Sequence, residues 1–292
     1  MYYYVVNPAS GHGAINAIQD KLKAKLSELG IRGEFVKTTG IGDAKKITQA
    51  AIERKFKTII AVGGDDTINE IINGVTDENV AIGVIPIGST NSLANQLGIT
   101  SWQQACEVLA KRRTANFGLI AANRHYFLSA LTLGFETDLS NKIAPTTNST
   151  LIAKIKYLKQ SLAHAETYTP PKCYVKVDND YEIEASVFSL TVANQKFSNP
   201  LADNKLVVSF SDKPSKRALA LNLWKSLRQN QYDHINTRFI AKKIILETVP
   251  ATGVMVDGKH IGNTPITIRL TNRQVRFIIK KPLDDKTLSL TE

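Results

Sequence analysis

The chain has 292 residues, of which 43% are hydrophobic and 22% are charged, and its formal net charge is +11. This length and composition are typical of one large or two medium globular domains and exclude a disordered or low-complexity protein. No apolar run reaches about 18 residues, so we expect no membrane-spanning helix, and residues 1–6 are typical of a strand, not of a signal peptide.

The positive charge is concentrated in the second part of the chain. Residues 1–113 hold 13 basic and 11 acidic side chains, whereas residues 114–292 hold 24 and 15. This excess suits an anionic lipid surface or nucleic acid, although a solvated basic surface without a partner explains it equally well. Because no nucleic-acid-binding motif accompanies the charge, we expect no nucleic-acid partner. Cys106 and Cys173 lack metal-ligand spacing and are expected to be reduced and buried.

The first third of the sequence alternates between strand and helix patterns. Apolar residues between Ile15 and Leu29 recur at helical spacing, and Asp43 suits the N-cap of the next helix. Repeated strand–loop–helix units predict a parallel sheet with helices on both faces. The expected strands lie at residues 2–6, 34–37, 58–62 and 81–85.

From about residue 115 the pattern predicts a mostly antiparallel β domain with helices near residues 150–166 and 214–229. The basic and apolar segment 213–228 suits a helix packed on this domain, and a membrane-surface helix is the alternative. We therefore predict an α/β chain with a parallel-sheet domain at residues 1–113 and a β-sandwich domain at residues 114–292. Its expected strands lie at residues 126–134, 174–177, 183–194, 206–210, 243–248, 253–256 and 266–270.

Three glycine-bearing loops, at residues 7–13, 63–67 and 88–91, each follow an expected parallel strand. Ligands bind at the carboxyl ends of such strands, so the loops should meet at one edge of the sheet. Glycine allows close approach of backbone N–H groups to an anion, and the following helix adds its positive end. Each loop alone is more often just a tight turn, but the three together predict a nucleotide site. None matches the Walker or dinucleotide-binding pattern.

Four segments carry a resemblance to a known family. Residues 62–74, VGGDDTINEIING, resemble the G-G-D-G-T-x-N-E-V-x-N-G signature of diacylglycerol and sphingosine kinases. Residues 7–11, NPASG, resemble the N-P-x-S-G opening of that family, and residues 86–94, PIGSTNSLA, resemble P-x-G-T-x-N-D-F-A. Residues 256–258, VDG, resemble its late D-G-E. The order and spacing of the motifs hold from residue 5 to about residue 280.

The resemblance implies an ATP-dependent lipid kinase with a first domain of the diacylglycerol kinase and NAD kinase type. ATP and Mg²⁺ would lie between the domains, and the acceptor would be a hydroxyl of diacylglycerol or a related lipid. The protein would be cytoplasmic and peripherally bound to an anionic membrane surface, and a homodimer stays open. The loops and the resemblance together predict this nucleotide-binding set: Asn7, Ser10, Gly11, Thr38, Gly63, Gly64, Asp65, Asp66, Thr67, Ile68, Asn69, Gly88, Ser89, Thr90 and Asn91.

Acidic residues are the candidates for catalysis and metal binding. Asp65 is expected to orient the acceptor hydroxyl or serve the metal, and capping of the following helix is the alternative. Asp257 is expected to share the role of a missing glutamate, and a β-turn aspartate is the alternative. Asp203 is the candidate metal ligand, in a loop at residues 201–205 that lacks the D-G of the family.

The chain departs from the family pattern at acidic catalytic positions. Asp66 replaces a glycine, Ser92 replaces an aspartate, and Lys259 replaces the glutamate of D-G-E. A lysine cannot act as a base unless its pKa is strongly depressed, although it can neutralise a phosphate. Two other functions therefore stay open: a nucleotide- or lipid-binding relative that has lost catalysis, and a phosphotransferase of the NAD kinase type.

Overall fold

The computed structural model describes residues 1–89, 91–143, 151–178, 180–194, 205–229 and 237–280. Its first part contains four parallel strands, and β3 and β4 are almost wholly buried because helices cover both faces of this part of the sheet. The strands are β1 Tyr2–Val6, β2 Gly33–Lys37, β3 Thr58–Gly63 and β4 Ala81–Pro86. The helices are α1 Ala14–Glu28, α2 Asp43–Glu53, α3 Asp65–Gly74, α4 Ser92–Gln96 and α5 Trp102–Lys111.

The order β2-β1-β3-β4 brings the carboxyl ends of the four strands to one edge. All three pairings are parallel, and Tyr4 faces both Phe35 and Ile60 in register. The predicted parallel sheet is therefore confirmed, and the three glycine-bearing loops leave it on the same side.

The rest of the described chain is rich in antiparallel strands. They are β5 Thr114–Ala122, β6 His125–Phe127, β7 Ala130–Gly134, β8 Lys172–Val177, β9 Tyr181–Ser186, β10 Ser189–Asn194, β11 Leu206–Ser211, β12 Thr237–Ala241, β13 Lys243–Val249, β14 Gly253–Val256, β15 Lys259–Asn263 and β16 Ile266–Ile278. Three helices accompany them, α6 Phe135–Lys142, α7 Leu151–Thr167 and α8 Lys216–Gln229.

These strands form two layers. The first sheet continues past β4 in the order β16-β13-β8-β9, with β5 paired to β16 and β6 to β5, and a second sheet has the order β12-β11-β10-β7-β14-β15. Buried side chains of both layers, such as Val175 and Ile244 from one and Leu190 and Val208 from the other, form one core. The predicted β-sandwich is confirmed.

Strand β16 joins the two parts of the molecule. Its beginning pairs with β13, whereas its end runs parallel to β4, with Phe277 opposite Ile82. Phe277 and Ile278 are buried in the same core as the parallel strands, together with Phe117 of β5. The core of the first sheet thus includes residues from the far end of the chain, and a boundary near residue 113 stays a prediction.

Several strand predictions were wrong in extent. The strand expected at residues 126–134 is interrupted, because the N–H groups of Leu128 and Ser129 bond to the Asp257 carboxylate. The strand expected at residues 183–194 divides into β9 and β10, which lie in different sheets. Strands β5, β12 and β15 and helices α5 and α6 were not predicted.

Helices α6, α7 and α8 enclose a third apolar cluster, in which Phe135 and Phe188 stack and Leu219 and Leu223 of α8 are buried. The prediction that the basic segment forms a helix packed on the β domain is confirmed. Cys106 and Cys173 are free and buried, as expected. Across the described residues, no helix combines the length and apolar character needed to span a bilayer.

Candidate functional site

The three glycine-bearing loops meet at the carboxyl edge of the parallel strands. The backbone N–H of Ile87 bonds to the carbonyl of Gly63 at 3.1 Å, which joins the second and third loops. The first loop touches the third at Gly11, where an added side-chain carbon would lie 2.1 Å from the carbonyl oxygen of Ile87. The convergence predicted from the sequence is therefore observed.

The first and second loops are also bonded through their side chains. The amide nitrogen of Asn7 donates to the hydroxyl of Thr67 at 3.1 Å, and the carbonyl of the same amide accepts the N–H of Ala9 at 3.0 Å. Thr67 packs against Gly63, where a side-chain carbon would meet the threonine hydroxyl at 2.3 Å. Asn7 and Thr67 thus shape the loop backbone beside the cavity.

A cavity of about 410 Å³ opens beside these loops, at the edge of the second domain. This volume lies within the range of small-ligand sites. The wall combines residues of the first domain with two residues of β15. The lining residues are Asn7, Pro8, Ala9, Thr38, Thr39, Gly40, Ile41, Ala44, Asp66, Thr67, Glu70, Lys259 and His260.

The segment between β2 and α2 forms one wall of the cavity. The backbone N–H of Thr38 bonds to the carbonyl of Val6 at 2.8 Å, which continues the β1–β2 pairing. The Asp43 carboxylate accepts the Thr39 hydroxyl, and it also accepts the N–H groups of Thr39 and Gly40 at 2.8 and 3.1 Å. These hydrogen bonds, the hydroxyl foremost, lower the pKa of Asp43 and fix the turn that faces the cavity.

Glu70 and Lys259 form an ion pair across the domain boundary. The Lys259 ammonium of β15 lies 2.8 Å from Glu70 Oε1 on α3. The same glutamate accepts the backbone N–H groups of Gly42 and Ala44, at 2.9 and 3.2 Å, where α2 begins. One carboxylate therefore joins three elements around the cavity, and only 11% of its side chain is exposed.

Asp66 lies one turn before Glu70 on α3 and faces the same cavity. Asp66 is exposed to solvent at the cavity, and partial desolvation raises its pKa, while the Lys259 ammonium limits the rise and the negative charge of Glu70 adds to it. Lys259 also acts on His125: burial, together with the charges of Lys259 and Lys45, lowers the pKa of this histidine and favours its neutral form. Lys259 is therefore a cation that acts on both carboxylates of the wall.

Asp65 does not cap the helix that follows it, as the alternative expected, because α3 has no side-chain cap; it bonds instead to the start of α4. Its carboxylate oxygens accept the backbone N–H groups of Ser92 and Leu93, both at 2.9 Å, where α4 begins. The side chain is buried, and this burial raises its pKa to about 6. Asp65 thus connects the second loop to α4, the helix that follows the third loop, and it does not line the cavity.

Asp257 occupies a similar structural position in the second domain. Its carboxylate accepts the backbone N–H groups of Leu128, Ser129 and Ala130 at 2.8 to 3.0 Å. Burial nevertheless raises the pKa of Asp257, because desolvation outweighs these hydrogen bonds. The group fastens β14 to the start of β7, and a shared catalytic role for it stays a prediction.

Several other predicted residues do not line the cavity. Ile68 is buried, and Asn69 is buried next to Asn73, whose amide bonds to the backbone carbonyl of Tyr126 at 2.8 Å. Asn91 bonds to both the N–H and the carbonyl of Gly88, which closes the third loop on itself. Ser10, Gly64 and Ser89 are half-buried or exposed in the loops without lining the cavity, and Thr90 and Asp203 lie outside the described residues.

Sequence reasoning missed Glu70 and the turn at residues 39–44 as parts of the cavity wall. The spacing of Asp66 and Glu70 was an available signal, because residues four apart on a helix share one face. The cation that pairs with Glu70, the Lys259 ammonium, comes from a residue 189 positions away in the chain. The sequence offered no means of pairing them.

A parallel α/β sheet whose loops lie beside a β-sandwich defines a mixed α/β protein, and the cavity lies where these loops approach β15. Residues 1–122 match the family model described as diacylglycerol kinase catalytic domain. The diacylglycerol kinase of Bacillus subtilis (strain 168) is 25% identical over 290 residues, which cover 95% of each protein. The diacylglycerol kinase of Staphylococcus epidermidis (strain ATCC 12228 / FDA PCI 1200) is 23% identical, with 97% of this chain and 93% of that protein covered.

The fold is similar to a solved structure as well. A crystal structure of a diacylglycerol kinase from Bacillus anthracis str. Sterne aligns with a TM-score of 0.69 at 20% identity and covers 96% of each chain. The resemblance inferred from the motifs is confirmed: the chain is similar to diacylglycerol kinases over nearly its whole length.

Proposed function

We propose that the protein is an ATP-dependent lipid kinase that transfers the γ-phosphoryl group to a hydroxyl of diacylglycerol or a related lipid. The observation that carries this proposal is the convergence of three glycine-bearing loops beside one cavity. Loops of this kind, each followed by a helix, are suited to phosphate. The similarity to diacylglycerol kinases supports the same substrate class.

In this proposal the residues of the chain position the reacting groups and stabilise the charge of the phosphates. ATP, when bound, supplies the γ-phosphoryl group: the lipid oxygen bonds to the γ-phosphorus as the bond from that phosphorus to the bridging oxygen breaks, ADP leaves, and the hydroxyl proton passes to solvent. Asn7 and Thr67 hold the loop backbone that would face the phosphates. Asp65 keeps the second and third loops together, since its carboxylate bonds to Ser92 and Leu93. Such positioning supplies much of the catalysis in phosphoryl transfer.

A lipid acceptor requires contact with a membrane surface. The excess of basic over acidic residues in positions 114–292 supports an anionic surface. Ile152 on α7 and Leu221 on α8 are 80% and 60% exposed, and such side chains can enter the headgroup region. Peripheral membrane association and a cytoplasmic location are part of this proposal, and the homodimer stays a prediction.

The direct test is transfer of radiolabelled γ-phosphate from ATP to diacylglycerol, sphingosine or NAD in mixed micelles. We expect labelled diacylglycerol or a related lipid product. Thr67→Val removes the cavity hydroxyl bonded to Asn7 and should lower kcat/KM about tenfold or more, the loss typical of a phosphate-positioning group. Thr114→Val, the same change at an exposed position on β5, should leave the rate unchanged. Labelling of NAD alone would replace the proposal with the NAD kinase type.

A nucleotide-binding relative without catalysis is the second candidate function. It is favoured by the Lys259 ammonium, which stands where the family carries a glutamate and is paired with Glu70. It is also favoured by Asp65 and Asp257, whose carboxylates are engaged with backbone N–H groups. If ATP raises Tm while no acceptor is labelled, this candidate replaces the kinase.

A further inference from the structure

The acidic residues around the loops differ in how fully their oxygens are occupied. The hydrogen bonds described above engage both oxygens of Asp65 and of Asp257 with backbone N–H groups. Glu70 uses one oxygen for Gly42 and Lys259 and the other for a second N–H at the start of α2. Within the described residues, Asp66 is the member of this group whose carboxylate accepts no hydrogen bond.

These residues fit a magnesium ion poorly. Mg²⁺ in phosphate-transfer sites is held by one or two carboxylates together with the phosphates and waters. Among the described residues Asp66 is the one carboxylate of this group left for such a role, and the Lys259 ammonium, which already affects its ionisation, would compete with a metal ion for it. A divalent cation at Asp66 would have this carboxylate as its single protein ligand among the described residues, and the positive charge of Lys259 nearby would repel it.

Lys259 is placed to provide the positive charge itself. Its ammonium has three donors, and the ion pair with Glu70 uses one of them. Its side chain is 23% exposed and lines the cavity opposite the turn at residues 38–41. The N-terminal ends of α2 and α3 also face this region and add partial positive charge. Glu70 therefore holds a lysine donor at the cavity surface.

We propose that the Lys259 ammonium, and not a divalent cation, is the main counter-charge for phosphate groups in this cavity. The inference rests on the proposed nucleotide site and deepens it. Lys259 is assigned as a phosphate-binding residue that Glu70 holds in place, and it offsets the negative charge that Asp66 brings to the phosphate loop. Nucleotide binding should then depend only weakly on magnesium.

The test is calorimetric titration of the full chain with ADP, in EDTA and in MgCl2. The parent chain should bind ADP with Kd values within about threefold in the two buffers. Lys259→Gln should weaken binding in EDTA about tenfold or more, as expected when a charged partner of phosphate is removed. Lys46→Gln, on the exposed side of α2, is the matched control and should bind like the parent.

A second variant separates binding from folding. Lys259→Gln leaves Glu70 unpaired and can lower stability, so Glu70→Gln/Lys259→Gln restores charge balance and should still bind ADP weakly in EDTA. ADP binding by the parent only in MgCl2, or unchanged binding by either variant in EDTA, would overturn this inference and leave the proposed function standing. Failure of the parent to bind ADP in both buffers would overturn both.

Discussion

Buried carboxylates serve this protein mainly as acceptors for backbone N–H groups. Asp65 caps α4, Asp257 bonds to three successive residues, and Glu70 caps α2 while it pairs with Lys259. Each group connects segments that are distant in the chain. Loss of such a carboxylate would leave buried N–H groups unpaired, which costs roughly 1–3 kcal/mol for each group. At the residue scale, the carboxylates at these positions therefore matter to structure as well as to chemistry.

Asp65 should make stability depend on pH. Its pKa is about 6 in the folded state and 3.8 in the unfolded state, so between these values the folded state keeps a proton that the unfolded state has released. Stability should therefore fall as pH rises through this window. Relative to Asp65→Asn, the parent should lose about 2 kcal/mol between pH 4.5 and 7, measured by urea denaturation.

Asp77→Asn is the control for this pH series. Asp77 is half-buried and paired with Lys57, and its pKa is lowered to about 2, mainly by that partner. Its contribution is present above the unfolded pKa and is lost as pH falls below it. The stability difference between parent and Asp77→Asn should therefore stay nearly constant from pH 4.5 to 7. An equally flat difference for Asp65→Asn would show that Asp65 is ionised in the fold.

At the scale of elements, the loops are positioned by close backbone contact as much as by side chains. Gly11 adopts a positive φ of 57° and lies against the carbonyl of Ile87, so the first loop rests on the end of β4. Gly30, after α1, has a similar φ of 68° but has no atom within 4 Å of where a side-chain carbon would lie. The two glycines share a conformation and differ only in their surroundings.

Alanine substitutions should separate conformational strain from loop contact. Gly30→Ala should cost about 1–2 kcal/mol, because a non-glycine residue is strained at positive φ. Gly11→Ala has the same strain plus the contact with Ile87, and it should lose distinctly more stability and displace the first loop. Chemical denaturation measures the loss of stability in both variants. The Tm shift on adding ADP measures whether the first loop is displaced. Equal losses in the two variants would show that the loop contact is unimportant.

At the scale of the whole molecule, the parallel sheet depends on the end of the chain. Strand β16 passes from the sandwich to β4, and Phe277 is fully buried in the core of the first sheet. The amide of Asn73 also fastens α3 to Tyr126 of β6. The two parts therefore share strands and contacts, and we expect them to lose structure together.

Phe277→Ala should weaken the parallel sheet although the residue is distant in sequence. Removing a buried phenylalanine costs about 3–5 kcal/mol. Hydrogen exchange at the amides of β3 and β4 should accelerate accordingly. Phe239→Ala, the same change at a half-buried position on β12 of the second sheet, should accelerate exchange of those amides distinctly less. Unchanged protection in Phe277→Ala would mean that the first sheet is stable without β16.

The sequence by itself determined the local and repetitive features of this protein. Its apolar runs and helical spacing predicted the parallel strands and most of their helices, and the glycine-bearing motifs predicted where the loops would converge. These features follow from short-range periodicity and from the rule that parallel strands end at one edge. The motifs also carried the resemblance to the diacylglycerol kinase family.

Only the tertiary structure decided which groups meet across long distances in the chain. In the folded protein Lys259 pairs with Glu70, the carboxylates of Asp65 and Asp257 accept hydrogen bonds from backbone N–H groups, and β16 lies beside β4. Residue type and spacing do not specify such contacts, because they arise from the packing of two domains and not from local periodicity. Burial then decided the ionisation of these groups, since desolvation depends on the surroundings in the folded protein.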